Sequence, residues 1–174
     1  MSNPMMTRKL IDYVADQGFN AIRIPVSWYY NTSRDDEGRL VINPDWLARV
    51  KEVVDYAMDN GMYTIIDSHH DSHFDKNVTL LFYTDVEDEE MSCVLADART
   101  LWTQIAEYFK DYNEKLIFES FNDVNSKVTN SGFRYSQRAV RQMNELNQAF
   151  VSAIRATGGN NARRVHMRDI LRRS

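Results

Sequence analysis

The sequence predicts an α/β fold in which parallel strands alternate with helices, in the order αβαβαβα. Two observations predict it. Apolar residues recur at helical spacing in four segments, and three short runs rich in β-branched and aromatic residues lie between them. Strands separated by helices pair in parallel through right-handed crossovers. The pattern suits an open doubly wound sheet or part of a (β/α)8 (TIM) barrel. No GxGxxG or Walker phosphate loop is present, which weakens the nucleotide-binding version of the first.

Each element has a local reason. Residues 3–17 read as a helix, with Pro4 in its first turn, Met6, Leu10, Ile11 and Val14 on one face, and Gly18 as the stop. The run from Asn20 to Trp28 reads as a strand that ends near Pro25, which cannot donate to a ladder. Over 43–60, Asn43 caps a helix, Pro44 takes its first position and Gly61 follows its end. Trp46, Leu47, Val50, Val53, Val54 and Ala57 form its apolar stripe. A strand over 62–67 leads into the polar loop Ser68–Asp75. A third helix spans 93–111, with Trp102 on its stripe, and a strand over 115–121 follows. A fourth helix spans 136–156 and stops at Gly158-Gly159. Trp46 and Trp102 read as packing residues, as does Cys93. The acidic run Asp85–Glu90 reads as a solvated loop.

Composition sets the bounds. The 174 residues are 43% hydrophobic and 26% charged, with a formal net charge of −4. That is one folding domain of ordinary size. The single cysteine excludes an internal disulfide framework. No apolar run reaches the roughly 20 residues of a membrane span. The acidic balance argues against nucleic acid as a partner, and no membrane partner is expected either. Met1–Pro4 lacks the basic-then-apolar pattern of an export signal, and the cellular location is left open. From Arg155 to Ser174, however, six Arg face one Asp. Residues 163–174 therefore read as a basic, unstructured tail after a domain over 1–162.

In parallel α/β folds, chemistry gathers where strands end. All three predicted strands end in ionisable or amide groups. The first carries Arg23 and ends near Trp28, the second ends in Asp67, His69 and His70, and the third in Glu119, Asn122 and Asp123. Such a set suits glycoside hydrolysis, which needs an acid for the leaving oxygen and a second carboxylate. Arg23 also reads more simply as an ion-pair partner of Asp67 or Glu119. The loop from Asp67 to Asp75 holds three His and three Asp. It invites a metal reading, but the spacing is not that of a zinc helix, and adjacent His69 and His70 in extended backbone point to opposite sides. No metal and no cofactor is expected.

The stretch Gly18-Phe19-Asn20-Ala21-Ile22-Arg23-Ile24-Pro25-Val26-Ser27-Trp28 resembles the second-strand signature of glycoside hydrolase family 5, the cellulase and endoglucanase (β/α)8 barrels. Ile66-Asp67-Ser68-His69-His70-Asp71 resembles the third-strand motif of that family, and Leu116 to Asp123 the fourth. The helix ending Gly158-Gly159-Asn160-Asn161 resembles the approach to the fifth strand. The resemblance covers about residues 3–162. It implies the first half of a (β/α)8 barrel and retaining hydrolysis of β-1,4-glucan or a related β-glycan. By it, Asp123 stands at the acid/base position and Asn122 binds the 2-hydroxyl of the sugar being cleaved. Arg23 lies near the nucleophile, His69 lines the cleavage subsite, His70 supports sugar binding, and Trp28 flanks a neighbouring subsite.

Three departures from the family pattern bear on activity. Asn-Glu-Pro becomes Asn122-Asp123-Val124, and Asp is one methylene shorter than Glu; a misplacement of about 1 Å can cost roughly 10²-fold in rate. The nucleophile of the family stands on its seventh strand, outside this chain, since a full barrel runs about 250 residues. The basic tail does not read as a fifth strand and suits a shifted reading frame. The expectation is therefore an impaired or inactive glycosidase. The alternatives are a non-catalytic sugar-binding pseudoenzyme and a truncated gene remnant. Three parallel strands would leave two unpaired edges, through which the chain is expected to self-associate.

Overall fold

The structure is a computed structural model and describes residues 5–72, 74–75, 78–79, 81–127 and 136–168. In chain order the elements are α1 (Arg8–Asp16), β1 (Ala21–Ile24), β2 (Thr32–Arg34), β3 (Leu40–Ile42), α2 (Pro44–Asp59), β4 (Tyr63–Ile66), β5 (Phe74–Asp75), β6 (Val78–Thr79), β7 (Tyr83–Thr84), α3 (Asp88–Tyr108), β8 (Leu116–Glu119), β9 (Asn125–Ser126), α4 (Gln137–Ala156) and β10 (His166–Met167).

The central layer is a parallel sheet in the order β1-β4-β8-β10. Neighbours in the sheet follow their order along the chain, as in a barrel wall. A doubly wound sheet would reverse direction at a switch point. Ile24 pairs with Ile66, Ile66 with Phe118, and Phe118 with His166. Ile24, Ile66 and Phe118 of this row are buried in one cluster with Val50 and Val54 of α2, Leu101, Trp102 and Ile105 of α3, and Leu146 and Phe150 of α4, while His166 is half-buried. The alternate row carries Arg23, Ile65 and Ile117 on the other face, where Ile65 and Ile117 are half-buried. Tyr63, Val165 and Met167 are exposed.

The predicted helix starts hold where their capping chemistry was legible. The Asn43 side chain accepts from Asp45 N–H at 2.9 Å, with Pro44 in the first turn. Ser136 Oγ accepts from Ala139 N–H at 3.0 Å at the head of α4. The first helix is capped by Thr7; Pro4, expected in its first turn, lies outside the described residues. Gly61, with φ 70°, turns α2 into β4.

Several expectations are corrected. The sheet has four parallel strands, not three. The hairpin of β2 and β3 was not read; its three-residue strands are too short for a period to show, although Leu40 and Ile42 are buried and Val41 is exposed. Helix α3 begins at Asp88, inside the acidic run, because Asp88, Glu89 and Glu90 in its first turn complement the helix dipole. Asp85 is not solvated. It is 6% exposed with φ 66°, and accepts from Ser136 Oγ at 2.7 Å, Ser126 Oγ at 3.1 Å and Arg138 Nε at 3.2 Å. Cys93 is exposed rather than packed. Trp102 is fully buried, as expected, and Trp46 is partly so.

The tail is the largest correction. Residues 163–168 are folded, and His166–Met167 pair with β8. Arg164 is buried and places every guanidinium N–H. Nε donates to Asn161 Oδ1 at 2.7 Å. One terminal nitrogen donates to the carbonyls of Leu116 at 2.8 Å and Asn113 at 3.0 Å, the other to those of Tyr112 at 2.8 Å and Phe109 at 3.1 Å. These carbonyls run from the end of α3 to the first residue of β8, and three of them share a second donor: Tyr112 N–H on Phe109, Asn160 Nδ2 on Tyr112 and Leu116 N–H on Asn113. The arginine that looked like solvated tail charge is the plug that joins β10 to the rest. Residues 169–174 lie outside the described residues. Among the described residues, no helix is long and apolar enough to cross a membrane.

Candidate active site

The C-terminal ends of β1, β4 and β8 converge on Arg23. Its Nε donates to Glu119 Oε2 at 2.6 Å and its Nη2 to Glu119 Oε1 at 2.9 Å, a two-pronged pair. Nη2 also reaches Asn122 Oδ1 at 3.2 Å and Asp67 Oδ2 at 2.6 Å. Parallel register explains the meeting: Arg23 is level with Ile65 and Ile117, so its long side chain rises to groups one row higher. These contacts, led by the Glu119 bond, raise the guanidinium pKa further above its ordinary value.

Asp67 is fully buried. Its Oδ1 accepts from Val26 N–H at 3.0 Å, and its Oδ2 lies 2.8 Å from His69 Nδ1. The backbone N–H of His69 donates to Val26 C=O at 2.8 Å, and that of Asn122 to Ser68 C=O at 2.9 Å. The rings of His69 and His70 meet edge to face, 4.6 Å between centroids. They do not point apart as expected; the β4 ladder ends at Ile66 and the chain bends at His70. His70 is exposed.

Asp123 is exposed beside Asn122, with φ 49°. Asp is among the few side chains that enter this left-handed region readily. Its charge lies close enough to contribute to the raised pKa of Arg23. Glu119 has both oxygens on the guanidinium, which leaves Asp123 as the exposed carboxylate on this rim.

Trp28 is not a sugar platform. It is fully buried, and its indole N–H donates to Asp67 C=O at 3.0 Å. The chain turns inward beyond Pro25 because Asp71 holds it there. Asp71 Oδ1 accepts the backbone N–H groups of Trp28 at 2.8 Å and Tyr29 at 2.7 Å, and Oδ2 accepts from Ser68 Oγ at 2.7 Å. Burial pushes the Asp71 carboxyl above the usual range, against these bonds. Asp71 was missed as a site residue; its signal was its place in the polar loop after β4. His73, part of the metal reading, lies outside the described residues. Among the described residues, no three His, Cys, Asp or Glu gather into a group able to hold a metal ion.

A parallel βα layer whose polar side chains gather at adjacent strand ends has the architecture of a (β/α)-barrel wall. The chain belongs to glycosyl hydrolase family 5: it matches that family, described as "Cellulase (glycosyl hydrolase family 5)", over residues 1–167. The match therefore runs through β10. Among known proteins, endoglucanase A of Ruminococcus albus is 40% identical over 167 residues, covering 94% of this chain and 42% of the relative. Endoglucanase A of Clostridium longisporum is 37% identical, covering 95% of this chain and 30% of the relative. A solved xyloglucan-specific endo-β-1,4-glucanase from a metagenomic library, in complex with cellotriose, is 42% identical with a TM-score of 0.81, covering 95% of this chain and 46% of that one. A broad-specificity endoglucanase from Clostridium acetobutylicum is 31% identical with a TM-score of 0.83, covering 95% and 47%. The chain thus spans less than half the length of these relatives and corresponds to part of their barrel.

Proposed function

We propose that this chain carries the acid/base half of a retaining glycosidase that acts on β-1,4-glucan or a related β-glycan. The observation that carries the reading is the Arg23 hub, which draws Glu119, Asn122 and Asp67 together beside the exposed Asp123. In this reading Asp123 protonates the leaving glycosidic oxygen and then takes a proton from water, while Asn122 binds the neighbouring sugar hydroxyl. Relatives that resemble this chain are solved with cello-oligosaccharides, which supports a glucan as the substrate. Arg23 occupies Glu119 on both oxygens, so the nucleophilic carboxylate comes from residues outside this stretch, in the same polypeptide or an associated one. The shorter reach of Asp123 lowers the rate of the assembled site.

The test is hydrolysis of an aryl β-cellobioside by the 174-residue chain, alone and with Asp123→Ala and Asp123→Glu. The chain alone is expected to show no activity above Asp123→Ala. Activity that Asp123→Ala removes would place a second carboxylate within this chain. Once the barrel is completed with a relative's remaining strands, Asp123→Glu is expected to raise the rate by about 10²-fold, the effect of about 1 Å at the reacting centre. Equal rates for Asp, Glu and Ala at 123 in that assembly would refute the acid/base role.

A further inference from the structure

We infer that Asp67 is a positioning residue that acts through His69, holding the ring proton on Nδ1 and leaving Nε2 as a hydrogen-bond acceptor for a sugar hydroxyl. The sugar half of this statement rests on the function proposed above; the tautomer half does not.

An ionised carboxylate accepts hydrogen bonds and donates none. Asp67 is fully buried and receives Val26 N–H on Oδ1 and the Arg23 guanidinium on Oδ2. The same Oδ2 faces His69 Nδ1 at 2.8 Å. A bare ring nitrogen there would set lone pair against lone pair in a buried place, so the ring turns its N–H to Asp67. The backbone N–H of His69 is tied to Val26 and Trp28 clasps Asp67 C=O, which fixes the main chain from which the ring and the carboxylate meet.

A neutral imidazole has one proton. With that proton on Nδ1, Nε2 can only accept. Nε2 has no protein partner among the described residues, and the side chain is 20% exposed. The neighbouring guanidinium only donates. One rim therefore offers an acceptor and a donor side by side. A sugar hydroxyl donating to Nε2 keeps its oxygen lone pairs for other donors, which fixes the direction of its hydrogen bond. The opposite tautomer would present a donor at Nε2 beside the donating guanidinium.

The experiment is a long-range proton–nitrogen correlation spectrum of the uniformly nitrogen-15-labelled chain. His69→Asn assigns the His69 signals, and the spectrum is taken at a pH where the ring carries a single proton. A pyrrole-type Nδ1 and a pyridine-type Nε2 are expected, and the reverse pattern in the wild-type chain overturns the proposal. In Asp67→Asn, whose fold is checked by its amide spectrum, the proton should move to Nε2 or divide between the two nitrogens. An unchanged pattern in a folded Asp67→Asn also overturns it; if that variant does not fold, the wild-type pattern decides. Cellotriose is then titrated into the wild type. A shift of Nε2 on binding supports the acceptor role. Binding in folded Asp67→Asn should weaken about 3- to 10-fold, the loss expected for one hydrogen bond. Cellotriose binding that leaves Nε2 unmoved overturns the acceptor role alone. No binding at all counts against the glycosidase reading, while the tautomer result stands.

Discussion

Arg164 and His166 sit two residues apart on the same short stretch, and both are charged types in places that disfavour charge. Burial lowers the Arg164 guanidinium to about 10, against an ordinary value of 12.5. It remains protonated at neutral pH because carbonyl oxygens take all five N–H groups or their amide equivalent at Asn161. Arg164→Met should remove roughly 3 kcal/mol of stability by deleting the five hydrogen bonds that tie this stretch to the end of α3 and the start of β8, measured as a shift in the urea midpoint. His166 is packed against Phe118 and Phe150, and its Nε2 is buried without a hydrogen-bond partner among the described residues. Burial, then Arg155 and Arg164, push its pKa from 6.5 down to about 4. The folded chain therefore resists a proton that the unfolded chain accepts. Stability should fall as pH drops from about 6.5 towards 4 and then level off. His166→Phe should flatten the change in urea midpoint between pH 7 and 5; an undiminished change would assign it to other groups. Neither residue was legible as core. A run of arginines reads as solvated charge until the cluster of carbonyls beneath it is known. Arg23, by contrast, was legible down to its partners, since Asp67 and Glu119 end the adjacent strands.

Among the elements, α4 is fastened at its head by an unread junction. Gln142 is buried on its second turn and accepts the backbone N–H groups of Asp85 at 2.7 Å and Val86 at 3.2 Å, while donating to Val86 C=O at 2.7 Å. Ser136 and Arg138 bond the Asp85 carboxylate from the same helix. These bonds, led by Ser136, outweigh burial and hold the Asp85 carboxyl below its usual range. The junction fixes the residues between β7 and α3 against α4, so α3 and α4 pack as a pair behind the sheet. Gln142→Leu should cost about 2 kcal/mol or more, because three backbone groups lose their partner at once; thermal unfolding checks it. The stripe of α4 was plain in the sequence from its spacing. The junction was not, because a glutamine on a mostly polar helix carries no mark of burial, and an acidic run carries no mark of a left-handed turn. The start of α3 was misread for the same reason: negative charge favours both a wet loop and the first turn of a helix.

For the whole molecule, the alternation of elements and the parallel pairing came from the sequence, since three strand runs separated by amphipathic helices admit few topologies. The fourth strand did not, because two paired residues have no period to read. The sheet ends in β1 on one side and β10 on the other, with Tyr63, Val165 and Met167 exposed on one face. An open parallel edge beside exposed apolar side chains favours association. The apparent mass of the purified chain in light scattering should therefore rise with concentration, and Tyr63→Lys should shift it towards the monomer. A constant monomer mass would refute this. Along the sheet face that carries Arg23, two kinds of chemistry are kept apart. Its charged, hydrogen-bonding groups crowd the ends of the strands, while Tyr63 lies at the start of β4 and Ile65 and Ile117 lie mid-strand. A substitution in the apolar zone therefore leaves the charged rim in place, and one on the rim leaves the apolar zone intact, so the two ends of one sheet face can vary separately.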